Sequence, residues 1–89
     1  MIELKDLDLT GITPIEELRK IEEENKEFED AVYECLCNNT KENRDHVIEE
    51  FWDKVQSSLS YMQITLGIKA VDAERQYYKH LIKIQNRPR

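Results

Sequence analysis

The chain is predicted to be all-α: a small bundle of three main helices forming a single domain over residues 1–89. Three observations lead there. Only two Gly and two Pro interrupt 89 residues, which leaves few loops. Apolar residues recur at spacings of three, four and seven in three successive stretches, which is the helical period. Thr13-Pro14 and Gly67 stand where helices start and stop. With a hydrophobic share of 39%, so short a chain buries little core, and oligomerisation to a dimer or tetramer is the expected remedy.

Residues 1–12 read as an irregular leader in which Ile2, Leu4, Leu7, Leu9 and Ile12 lie along the body of the protein. Thr13 is the expected N-cap of the first helix. Pro14 takes the first helical position, where its missing N–H costs nothing, and Glu16 completes a capping box. Leu18, Ile21, Phe28, Val32 and Leu36 form its apolar stripe, and Glu16 with Lys20 and Glu22 with Lys26 are the expected outer pairs. Asn38-Asn39-Thr40 ends it.

The second helix starts from Asn39 or Thr40 as cap and runs to about Leu66, where Gly67 tolerates a left-handed turn. Its stripe is Val47, Ile48, Phe51, Val55, Leu59, Met62 and Leu66. A third helix, from Lys69 or Ala70 to about Gln85, buries Val71, Tyr77 or Tyr78, Leu81 and Ile84, and Pro88 prevents continuation.

Charge restricts the function classes. With 13 Lys and Arg against 19 Asp and Glu, the formal charge is −6, which argues against sequence-independent binding to a nucleic-acid polymer or an anionic membrane. No apolar run is long enough to cross a bilayer, and Met1 to Asp8 lacks a signal-peptide h-region, so a cytoplasmic location is expected. Cys35 and Cys37 point to different sides of one helix and are expected to be reduced thiols, with Cys35 partly buried.

The feature that folding does not require is a pair of acidic runs, Glu23-Glu24-Asn25-Lys26-Glu27 and Glu50-Phe51-Trp52-Asp53. In each, two carboxylates three residues apart share a helix face, where like charges repel by a few tenths of a kcal/mol, roughly. Glu24 borders the first stripe, and Glu27 lies between it and the outward Glu23 and Asp30. Glu50 and Asp53 fall beside Ser57, Tyr61 and Ile64, away from the apolar stripe, so that side of the second helix is expected to meet another element or another subunit. Four converging carboxylates suit Mg²⁺, a hard cation that takes oxygen ligands and shares its coordination with phosphates. On spacing alone a solvated acidic face is the plainer account.

The paired occurrence changes the balance. E-E-x-x-E, followed after 22 residues by E-x-x-D and an apolar helix, resembles the signature of the MazG-like all-α nucleoside triphosphate pyrophosphohydrolases, over about Ile21 to Leu66. The resemblance implies a Mg²⁺-dependent hydrolase, with Mn²⁺ as a possible substitute. Such an enzyme cuts a nucleoside triphosphate or related nucleotide between the α and β phosphates to a monophosphate and pyrophosphate. It also implies Glu24, Glu27, Glu50 and Asp53 as metal ligands and Glu23 as the residue that positions or activates water. Trp52 stands where many members carry a small residue; beside a ligand, it is the candidate for stacking on the base.

Lys79, His80, Lys83 and Arg87 gather near the C-terminus. They are either a phosphate clamp, like the basic segment of some MazG-like proteins, or simply positive charge that complements a helix dipole. His46 reads as a surface histidine. The alternative function, from another class, is a non-catalytic helical protein of the same shape that binds nucleotide or a protein partner as a regulator.

Overall fold

The computed structural model describes residues 3–87 and contains three α-helices in the order expected, α1 Pro14–Cys37, α2 Lys41–Leu66 and α3 Ala70–Asn86. The described residues contain no strand, and no described helix is long and apolar enough to cross a membrane. The expectations for Ile2 and Pro88 lie outside the described residues.

Local chemistry sets the helix ends. The Thr13 hydroxyl accepts the Glu16 N–H at 3.2 Å while the Glu16 carboxylate accepts the Thr13 N–H at 3.3 Å, so two otherwise orphaned donors are satisfied reciprocally. Thr40, not Asn39, caps α2, its hydroxyl accepting the Asn43 N–H at 3.1 Å. Gly67 ends α2 at φ 67°, a left-handed conformation that a side chain disfavours. At the start of α3 the Asp72 carboxylate accepts the Lys69 N–H at 2.9 Å.

The three residues between α1 and α2 make them an antiparallel hairpin, and this is the principal packing in the molecule. Its seam is heptad-like. Glu17, Ile21, Glu24, Phe28, Ala31 and Cys35 are buried or half-buried on α1 at alternating spacings of four and three, with Asn25 and Val32 half-buried beside them. Asn43, Val47, Glu50, Lys54, Ser57, Tyr61 and Ile64 follow the same rhythm on α2. The Ser57, Tyr61 and Ile64 side of α2 therefore meets another element of the same chain.

This seam corrects the expected stripes. Leu18 and Leu36 are 43% and 78% exposed, whereas Glu17, Glu24 and Ala31 are buried. On α2, Ile48, Phe51 and Leu66 are exposed, and on α3 so are Val71, Tyr77, Tyr78 and Ile84. Apolar side chains mark a stripe only when the opposing surface is also apolar. Here polar residues face one another across the hairpin, so the buried face is rotated from the hydrophobic one. The outer ion pairs differ as well. Glu16 is drawn back to its cap, and Lys20 pairs instead with Glu24 at 3.1 Å and Lys26 with Asp30 at 2.9 Å.

The leader is irregular, as expected, and joins α2 to α3. Gln56 and Gln63 donate to the Lys5 and Leu7 carbonyls at 3.3 and 3.2 Å, and Asp6 accepts the Ala70 N–H at 2.8 Å. The Leu4 N–H donates to the Glu74 carboxylate. Helix α3 touches α2 near their junction and does not pack on α1. Cys35 and Cys37 are free thiols, Cys35 half-buried and Cys37 exposed.

Candidate metal centre

The hairpin brings glutamates of both helices together at its seam. One carboxylate oxygen from each of Glu24, Glu27 and Glu50 lies within 4.8 Å of the other two. Glu24 is 4% exposed, and the Glu50 side chain is 12% exposed. Glu27 lies at the open edge, in contact with both.

Each of the two inner glutamates has a basic residue one turn before it. Lys20, one turn before Glu24 on α1, places Nζ 3.1 Å from Glu24 Oε1. His46, one turn before Glu50 on α2, places Nε2 3.8 Å from Glu50 Oε1. In both cases the second oxygen, Oε2, is buried with no hydrogen-bond partner. A buried, unpartnered acceptor costs on the order of 1–3 kcal/mol, and a charged one more. Two such oxygens at one place are an arrangement that folding disfavours and a cation relieves.

Proximity has an electrostatic consequence at Glu27. Its pKa is raised above the ordinary carboxylate value, first by the charge of Glu24, then by desolvation, then by the charge of Glu50 and contacts with both groups. The folded chain thus keeps this proton to higher pH than the unfolded chain does. The associated stability is complete below Glu27's ordinary value of 4.5 and is lost as pH rises through the raised folded value. In chelator, the melting temperature of Glu27→Gln is therefore expected to fall less than that of the wild type between about pH 4.5 and 7. Circular dichroism melts across that range check this; parallel curves would contradict it.

The donor set fits a hard divalent ion. Around Mg²⁺ adjacent oxygens stand about 3 Å apart and opposite ones about 4.2 Å, so three oxygens within 4.8 Å of one another would draw inward on binding one ion. All-oxygen ligands favour these ions over softer metals.

The other expected site residues stand apart from the group. Asp53 is exposed on α2 and is not among the converging carboxylates; its backbone carbonyl accepts the Ser57 hydroxyl at 3.0 Å. Glu23 is exposed on α1, beside Glu24 in sequence. Trp52 lies two positions after Glu50, which on a helix is the opposite side, and lines a shallow groove with Leu4, Lys5, Val55 and Leu59. Its ring meets Phe51 edge-on at 5.0 Å. Lys79, His80 and Lys83 are exposed on α3 and Arg87 caps its end, on a helix that does not pack against the one carrying Glu24 and Glu27. Sequence reasoning missed the pairing of Lys20 with Glu24, for which the available signal was K-x-x-x-E, a cation one turn before the glutamate. His46 is a surface histidine, as expected.

Fold and cluster together define the class: an all-helical protein whose antiparallel hairpin carries a carboxylate site between its helices. No family profile, no curated protein and no solved structure matches the chain.

Proposed function

We propose that the chain is a MazG-like, Mg²⁺-dependent nucleotide pyrophosphohydrolase that works as a homo-oligomer. It cleaves a nucleoside triphosphate or related nucleotide between the α and β phosphates. The observation that carries this is the pair of buried glutamates from different helices, each with an oxygen lacking any partner, beside a third carboxylate. Glu24, Glu27 and Glu50 would hold the ion. Bound Mg²⁺, or Mn²⁺ in its place, supplies neutralisation of phosphate charge and a water of lowered pKa.

The chain's own residues supply position and proton acceptance. The seam fixes the spacing of Glu24 and Glu50, while Lys20 restrains the outer oxygen of Glu24. Glu23, exposed and next to Glu24 in sequence, is the carboxylate that would accept a proton from the attacking water. Lys79, His80, Lys83 and Arg87 project on a helix unattached to α1, and in an oligomer they can meet phosphates bound on a neighbouring copy.

Incubation with a panel of canonical and modified nucleoside triphosphates plus Mg²⁺ or Mn²⁺ tests this. Release of pyrophosphate and monophosphate is expected, and its absence across the panel from folded protein overturns the enzymatic reading. One observation favours the non-catalytic alternative: only three of the four expected carboxylates converge. Metal-dependent nucleotide binding without product, measured by calorimetry, would select that regulator.

A further inference from the structure

We infer that this centre takes one divalent ion per chain, because the Lys20 ammonium occupies the place of a second. The inference rests on the metal reading above and concerns how many ions the site accepts. In a two-ion centre the metals stand roughly 3.5–4 Å apart, close enough for one carboxylate to give an oxygen to each. Glu24 is the buried candidate for that bridge. Its Oε2 is unpartnered, but its Oε1 already has a cation, Lys20 Nζ, at 3.1 Å. Glu24 therefore offers a metal one oxygen, not two. Glu50 has only the His46 ring nitrogen near its Oε1, at 3.8 Å, beyond hydrogen-bond reach.

Charge and ligand supply agree. Three carboxylates with one ammonium leave a formal charge of −2, which one divalent ion balances. Lys54, the next cation on the seam, is turned onto the Phe28 ring at 4.9 Å and makes no ion pair with a carboxylate among the described residues. Asp53, the carboxylate that would complete a second coordination sphere, is exposed and outside the group. Lys20 is 55% exposed, so its substitution opens the position without removing core.

Counting bound Mn²⁺ per chain by electron paramagnetic resonance, with calorimetry for affinity, tests this on full-length protein without substrate. The wild type is expected to bind one ion. Lys20→Met is expected to bind two, because the place of the ammonium is then open and a repelling charge is gone. Lys20→Arg, which keeps the charge, should again bind one. Two ions in the wild type overturn the inference and leave the metal reading standing, as does a Lys20→Met variant that still binds one. No ion in the wild type, matching a Glu24→Gln control, overturns both. Should Lys20→Met fail to fold, the wild-type count decides alone.

Discussion

Glu24→Gln and Glu50→Gln are each expected to lower Mg²⁺-dependent pyrophosphate release by roughly 10²–10³-fold or more, the scale seen when one preorganised electrostatic contact is removed from an active site. The fold should survive. Gln keeps the shape of Glu, and each substitution removes a negative charge from a group whose oxygens lie within 4.8 Å and whose Oε2 atoms lack partners. Melting temperatures in chelator should thus equal or exceed that of the wild type. Stabilisation by added Mg²⁺ should vanish in both variants, since only a folded chain assembles ligands from two helices. Asp53→Asn is expected to do less, because Asp53 stands outside the converging group. Full turnover in Glu50→Gln would remove the carboxylate cluster from the chemistry, and unfolding of both variants would assign it to the architecture.

Dilution is expected to lower the melting temperature, by several degrees per tenfold, because the isolated chain leaves too much surface uncovered. Its accessible surface is 7185 Å², against about 5500 Å² for a compact monomer of its mass. The radius of gyration is 15.2 Å, where about 12 Å is usual for this length. Among the described residues only Ala31 and Ala70 are buried apolar side chains, and Leu18, Leu36, Leu66, Tyr77, Tyr78 and Ile82 are exposed. A tenfold change in concentration changes a dimer's association term by about 1.4 kcal/mol, and two chains of this length together shift by roughly 2–4 °C per kcal/mol. Melts over two decades of concentration, with sedimentation velocity for mass, measure this. A concentration-independent transition of a monomer would exclude assembly as the source of stability.

Where each helix begins and ends was legible in the residues, because those decisions are made within about four positions. Thr13, Pro14 and Glu16 satisfy one another locally, and Gly67 takes its left-handed conformation whatever lies beyond it. The acidic pairs were legible in the same way, since three-residue spacing places Glu24 with Glu27 on any helix. Which side of each helix is buried was not. The seam runs through Glu17, Glu24, Ala31, Glu50 and Ser57, and polar residues become interior only when a second surface covers them. The same rotation selects Glu24, Glu27 and Glu50 and leaves Asp53 outside, although Asp53 has the same spacing from Glu50 that Glu27 has from Glu24. Hydrogen bonding along one helix is a short-range property of the chain. The relative rotation of two helices is settled by side chains distant in sequence, and for this protein that rotation decides which charges meet.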